Sequence, residues 1–220
     1  MATQHHGPRP SAFLVLVYRV PVKPTANRVY VWRVLKKLGA VYLQQSVCVF
    51  PLSGRMLREL RPVLSKIEAS AGEYHLLPLR RLEPQEEAKL VAQFVEQATR
   101  HYAEIVENCE VNFAKEIEFE TFRENFTYEE AEEIRTEYDK MEAWYERVSE
   151  RDWFGAPNRD EARAWLNRSA KMLDDFEARV YAQEEGTAAP HAGTRRRRRV
   201  VRAGRQPLIQ QPTPTAASET

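Results

Sequence analysis

The apolar run FLVLVYRV (13–20) constrains the fold more than any other part of the chain. It has the length of one strand and no charged side chain before Arg19, and continuous apolar runs of this kind are typical of buried strands. Pro21 and Pro24 end it, because proline cannot continue a hydrogen-bonded ladder. We therefore expect residues 13–20 to form the central strand of a sheet.

The segments that follow alternate between helical and strand patterns. Only Gln45 and Ser46 separate the two middle strands, which is the spacing of a hairpin. Pro78 favours an edge position for the last strand, since proline has no N–H to donate to a neighbouring strand. The order βαββαβ predicts a ferredoxin-like domain over residues 12–82. Its elements after the first strand are a helix that ends at Gly39, strands at 40–44 and 47–51, a helix at 53–71 and a strand at 73–82.

Residues 83–183 carry helical patterns, with apolar positions spaced by three and four. Thr127 and Glu130 have the form of a capping box at the start of one helix, and the turn WFGAPN (153–158) precedes the last. Short connections between such helices predict an antiparallel hairpin or small bundle. Residues 184–220 are rich in Pro, Ala, Thr and Arg and predict a disordered tail. The predicted fold class is α+β, with a basic domain, a helical domain and this tail.

Charge is strongly segregated along the chain, although the net charge is only +1. Residues 1–82 contain 13 Lys and Arg against 3 Asp and Glu, whereas residues 83–150 contain 7 against 20. Residues 151–220 contain 13 against 9, with five consecutive arginines in RRRRRVVR (195–202). Segregation of this kind indicates where an anionic partner could bind, or which parts of the chain could neutralise each other within the molecule or a dimer.

Most cations of the first 82 residues lie near the first predicted strand or on the two predicted helices of this domain. At about 100° per residue, the positive side of the first helix lies roughly opposite its apolar stripe, with Trp32 at the border. Such a surface either is simply hydrated or binds phosphates, and we predict DNA as the partner. The predicted nucleic-acid-binding residues are Arg19, Lys23, Arg28, Arg33, Lys36, Lys37, Arg55, Arg58, Arg61, Arg195, Arg196, Arg197, Arg198 and Arg199.

No set of residues indicates a catalytic centre, a cofactor site or a metal site. The sequence contains neither a glycine-rich phosphate loop nor an HExxH pair. Cys48 and Cys109 lie in apolar patterns and are expected to be inert core thiols, and EIEFE (116–120) fits a solvated acidic helix better than a cation site. No apolar run approaches the roughly 20 residues of a membrane span. We expect a protein of the reducing cytoplasm without a membrane partner.

The stretch VYRVPVKPTANRVYVWRVLKKLGAVYLQQSVCVFP (17–51) resembles the N-terminal domain of ChrB, the chromate-resistance regulator of bacteria. WFGAPNRDEARAWL (153–166) and FEARVY (176–181) extend the resemblance to about residues 12–183. More distantly, the pattern around LKKLGA is similar to the ferredoxin-like domain of PaaX-type repressors and of small CRISPR-associated integration proteins. The nucleases among the latter have an aspartate at the end of the first strand, where this chain has Tyr18-Arg19-Val20-Pro21. The resemblance therefore implies no metal-dependent cleavage of phosphodiesters.

The resemblance implies transcriptional control of chromate resistance, with DNA as the partner. ChrB proteins commonly continue into a second, carboxy-terminal domain, in whose place this sequence has its arginine-rich segment. Under the first interpretation the chain is a non-enzymatic DNA-binding regulator, and a homodimer is one of its expected partners. Under the second it is an accessory module whose acidic helices bind another protein without direct DNA contact. Under either, a chromate oxyanion could bind among Arg19, Arg28 and their neighbours.

Overall fold

A computed structural model describes residues 12–188 and shows an α+β architecture, which confirms the predicted fold class. The amino-terminal part has the predicted order βαββαβ, and helices follow it. The elements are β1 (Phe13–Arg19), α1 (Thr25–Lys37), β2 (Val41–Gln44), β3 (Val47–Pro51), α2 (Gly54–Ala69), β4 (Glu73–Leu79), α3 (Pro84–Glu107), a π-helical segment (Asn108–Phe113), α4 (Ala114–Phe122), α5 (Tyr128–Ser149) and α6 (Arg159–Ala188).

The four strands form one antiparallel sheet in the order β2-β3-β1-β4. β1 is central, as its apolar sequence predicts, and its first four residues are buried. It pairs with β3 from Phe13 opposite Pro51 and with β4 from Phe13 opposite Leu79. β4 forms an edge of the sheet and places Pro78 there, which confirms the edge position predicted from that proline.

One face of the sheet is covered by α1 and α2. Leu14 and Leu16 of β1 point into a core that Val31 and Leu35 of α1 share with apolar residues of α2. Ser53 caps α2 through its hydroxyl, which accepts a hydrogen bond from the N–H of Met56 at 3.0 Å. Because the apolar sides of α1 and α2 pack on the sheet, the opposite sides of both helices face away from it.

The other face of the sheet is covered by the start of α3 and by the turn between α5 and α6. Phe13 and Val15 of β1 pack there with Phe94 of α3 and with Phe154. The ring centroids of Phe13 and Phe94 are 6.3 Å apart, and those of Phe94 and Phe154 are 5.4 Å apart. The helical part therefore completes the core of the sheet rather than merely following it along the chain.

The helices beyond the sheet share a second core. α3 passes through the π-helical segment into α4, and Tyr102, Cys109 and Ile134 are among the residues buried where these helices meet α5 and α6. Arg135 of α5 donates two hydrogen bonds to Glu177 of α6, both of 2.6 Å. Thr127 caps α5 by accepting from the N–H of Glu130, as its capping-box sequence predicts.

The two parts of the chain also meet at the carboxyl end of α1. Arg151, in the turn after α5, donates hydrogen bonds to the carbonyl oxygens of Lys36 and Lys37 at 3.4 and 2.9 Å. Helix carboxyl ends leave carbonyl groups unpaired and attract cations. Arg151 therefore provides a hydrogen-bond donor to the Lys37 carbonyl and a positive charge at the end of α1. Gly39 follows with a φ of +84° and lies against the indole of Trp153.

The division of the chain at residues 83 and 184 into two domains and a tail stays a prediction. α6 ends at Ala188, and most of the predicted tail, including Arg195–Arg199, lies outside the described residues. Within residues 12–188 no helix is both long enough and apolar enough to cross a membrane.

We predict that Gly39→Ala lowers the free energy of unfolding by about 1–3 kcal/mol, because a side chain at positive φ is strained. A Cβ at this position would also lie 2.9 Å from the Trp153 ring. Chemical denaturation monitored by circular dichroism measures the change.

The control is Gly54→Ala in the first turn of α2, where the nearest atom to a new Cβ is Arg58 Nη1 at 3.6 Å. Its stability should be unchanged or slightly higher, since alanine favours helix more than glycine does. Equal stability of the two variants would contradict the importance assigned to the Gly39 turn.

Candidate nucleic-acid interface

The structure describes nine of the fourteen predicted nucleic-acid-binding residues, and the side chains of all nine are exposed. Three belong to α2, four to α1, one to the loop before α1 and one to the end of β1. Because α1 and α2 cover the same face of the sheet, most of these cations share the outer side of one helical layer. They are Arg19, Lys23, Arg28, Arg33, Lys36, Lys37, Arg55, Arg58 and Arg61.

Only two of these nine cations form ion pairs among residues 12–188. Arg19 contacts Glu73 at 3.0 Å, and Arg55 contacts Glu59 at 2.6 Å and Glu150 at 3.3 Å. These pairs are solvent-exposed and contribute little stability. The other seven have no carboxylate within 4.0 Å in the described part of the chain. Their charge remains available to an anionic partner.

The acidic helices neutralise little of this basic surface. Among the described residues, the contact between Arg55 and Glu150 is the one ion pair that joins a predicted basic residue to the acidic segment 83–150. The charge segregation also allowed the acidic segment to neutralise the basic one within the molecule. Within residues 12–188, a single exposed ion pair supports this alternative. The binding of nucleic acid by these residues stays a prediction. Their exposure is necessary for it, because a cation must be accessible to contact a phosphate.

A cleft of about 770 Å³ opens between α1, the end of β1 and the turn that joins β2 to β3. The backbone N–H of Tyr18 donates to the carbonyl of Ser46 at 2.9 Å and holds this turn against β1. The lining combines three cations with three aromatic rings. It comprises Tyr18, Arg19, Val20, Val22, Thr25, Arg28, Val29, Trp32, Lys36, Tyr42, Gln44, Gln45 and Ser46.

The two tyrosines of the cleft form a neutral hydroxyl pair. Their oxygens lie 3.2 Å apart, and either can donate the hydrogen bond. Burial raises the pKa of both Tyr18 and Tyr42 above the ordinary value, so both phenols keep their protons at neutral pH. The Lys36 ammonium lies 5.2 Å from the centre of the Tyr42 ring and places a positive charge beside this pair.

The cleft is the feature that the sequence analysis missed, although α1 carried a signal for it. Arg28, Trp32 and Lys36 are spaced by four residues and so lie along one strip of the helix. Trp32, predicted to lie at the border of the apolar and basic sides, is 50% exposed there. The tyrosines come from separate strands, and no local pattern predicts that they meet.

The described residues contain no group of three or more His, Cys, Asp or Glu arranged to hold a metal ion. Within EIEFE (116–120), Glu120 is buried and accepts a hydrogen bond from Asn125 at 2.6 Å. This carboxylate serves to hold the turn between α4 and α5.

We predict that neither cysteine reacts with a thiol reagent such as DTNB within minutes in the native protein. Cys48 is fully buried, and burial raises the pKa of its thiol to about 12, so almost none of it is the reactive thiolate at pH 8. Burial also raises the pKa of Cys109. Absorbance of the released thiolate measures the reaction, and unfolding in guanidinium should expose both cysteines.

The matched control is Ser46→Cys, which places a thiol at an exposed position in the wall of the cleft. This variant should gain about one rapidly reacting thiol per chain while it keeps the native circular dichroism. Rapid reaction of the unmodified protein would contradict the burial of its two cysteines, and a slow reaction of the variant would show that this wall of the cleft is not exposed as described.

A comparison with family models gave a match that covers most of the chain. The family described as "Protein ChrB, N-terminal" matches residues 28–187, from the first turns of α1 to the end of α6. A comparison with curated proteins gave no match. The matched region includes nearly all of α1 and all of α2, whose exposed cations form what we call the basic layer, together with α3 to α6. The distant likeness to PaaX-type repressors stays a prediction. The chain belongs to the family of ChrB N-terminal regions.

Proposed function

We propose that the chain is a non-enzymatic, DNA-binding transcriptional regulator of chromate resistance that acts in the cytoplasm. Membership in the ChrB N-terminal family makes it similar to a chromate-resistance regulator. The observation that supports DNA as the partner is the layer formed by α1 and α2. All seven predicted cations on these helices are exposed, and six of them have no carboxylate within 4.0 Å among residues 12–188.

The physical basis of the proposal is the release of counterions from DNA. A cation that neutralises a phosphate frees a condensed counterion, so affinity depends steeply on salt. Contacts of this kind position a protein on the duplex without reading its sequence. Arg58 and Arg61 on α2 and Arg33 and Lys37 on α1 are suited to this role, because each is exposed and lies outside the cleft.

A homodimer is part of the proposal, since two copies of the basic layer would double the number of phosphate contacts on a symmetric DNA site.

A chromate ion is a further proposed ligand. Arg28 lines the cleft without a carboxylate partner in the described part of the chain, and Arg19 lies in the same cleft beside Glu73. Both could provide charge to an oxyanion.

We predict that the variant R33A/K37A/R58A/R61A binds duplex DNA more weakly and with a smaller dependence on salt. Each lost phosphate contact should reduce the slope of log Kd against log salt concentration by about 0.9. Fluorescence anisotropy of a labelled duplex, measured between about 50 and 200 mM salt, gives both quantities.

The matched control removes the same number of positive charges from the helical part, in K89A/R100A/K115A/K140A. This variant should keep most of the affinity, because its charges lie on α3, α4 and α5. The proposal is wrong if the two variants lose affinity equally, since net charge alone would then be responsible, or if neither loses any.

The second candidate function is an accessory module that binds another protein through its acidic helices. A specific observation favours it: Phe122 is 86% exposed and Phe119 is 56% exposed beside the carboxylates of α4. Exposed aromatic side chains on a charged surface are typical of protein-binding sites. Under this alternative, a partner captured from nuclease-treated lysate should be lost with Phe122→Ser and kept with R58A/R61A.

A further inference from the structure

The cleft beside α1 has a composition that phosphate contacts alone do not explain. It holds the rings of Tyr18, Trp32 and Tyr42 together with charged Arg28 and Lys36 in a concave space of about 770 Å³. Ligand pockets of proteins commonly have volumes of about 300–1,000 Å³. We propose that this cleft binds a small organic anion of nucleotide size, in which a flat ring is joined to a phosphate.

The ring of the ligand has an exposed apolar wall to pack against. Trp32 is 50% exposed, Val22 is 67% exposed and Val29 is 37% exposed, and all three line the cleft. Flat aromatic ligands stack on side chains of this kind, because stacking removes apolar surface of both partners from water. Trp32 is the residue best placed to stack on a base.

The phosphate of the ligand has two cations close to that wall. Arg28 and Lys36 each lie four residues from Trp32 on α1, which corresponds to about 6 Å along the helix axis. Neither has a carboxylate within 4.0 Å in residues 12–188, whereas Arg19 in the same cleft is paired with Glu73. A ring on Trp32 and a phosphate at either cation are thus separated by a distance that one nucleotide can span.

The floor of the cleft supplies polar groups that can recognise the edge of a ring. The hydroxyls of Tyr18 and Tyr42 are protonated and bonded to each other at 3.2 Å, which leaves one of their two protons free for a ligand. Gln44, Gln45 and Ser46 line the side formed by the β2–β3 turn. Amides and hydroxyls both donate and accept hydrogen bonds, as the edges of nucleobases require.

A bare oxyanion fits these observations less well. It would use Arg28 or Lys36 but would leave Trp32, Val22 and Val29 uncovered, and it would fill only a small part of the cleft. The inference goes beyond the proposed function, because it concerns an organic ligand with a ring, whereas the small ligand proposed there is the inorganic chromate ion. It also has a consequence for DNA: a bound nucleotide would occupy Arg28 and Lys36, two of the cations predicted to contact phosphates.

The test is calorimetric titration of the full chain with ADP, adenosine, inorganic pyrophosphate and chromate. ADP combines the ring and the charge, whereas adenosine has only the ring and pyrophosphate only the charge. We expect ADP to bind at least about tenfold more tightly than any of the other three, since both halves of the cleft then contribute. Similar affinities for ADP and pyrophosphate, or for ADP and chromate, would overturn the proposal, as would no binding of ADP at millimolar concentration.

Variants assign the binding to the cleft. W32A should weaken ADP binding at least about tenfold and leave pyrophosphate binding unchanged, while W32F should restore most of the affinity for ADP. R28A/K36A should weaken both ligands. Tyr30→Ala is the control, because Tyr30 is an exposed aromatic residue of α1 outside the cleft lining. Circular dichroism and thermal melting confirm that each variant is folded.

Two further measurements separate this inference from DNA binding. R58A/R61A, on α2 and outside the cleft, should keep the affinity for ADP whether or not it loses affinity for duplex DNA. A single-stranded oligonucleotide that needs Trp32 for binding, in the absence of any binding of ADP, would overturn the proposal and assign the cleft to nucleic acid. An unchanged affinity of W32A for ADP would overturn it as well.

Discussion

The burial of β1 on both faces is the constraint on which the rest of the structure depends. Its apolar side chains alternate between two cores, one closed by α1 and α2 and the other by α3 and Phe154. Neither layer alone would remove this strand from water. Consequently the helices that follow the sheet cannot be separated from it without exposing Phe13 and Val15, and the basic layer keeps a fixed place on the opposite face.

Local patterns were sufficient to predict the order of the elements. The apolar run of β1, the hairpin spacing at Gln45 and Ser46, and Pro78 at the edge strand are all properties of short segments, and the structure has each of them where predicted. The exposure of the cations on α1 likewise follows from helical periodicity, since a side chain opposite a buried stripe must face solvent.

Other features depend on residues that are far apart in the chain, and no local pattern indicates them. Phe154 reaches Phe13 across about 140 residues of sequence, and Tyr18 meets Tyr42 only because of how β1 and the β2–β3 hairpin are paired. The cleft is intermediate in this respect. The spacing of Arg28, Trp32 and Lys36 could be recognised in the sequence, whereas the opposite wall could not.

The hydrogen bonds from Arg151 to the last carbonyls of α1 have a mechanical consequence. α1 carries one wall of the cleft and part of the basic layer, and its carboxyl end is held by the turn between α5 and α6. These bonds tie the position of α1, and with it one wall of the cleft, to the turn that contains Arg151. A displacement of α1 would therefore change the geometry of these hydrogen bonds.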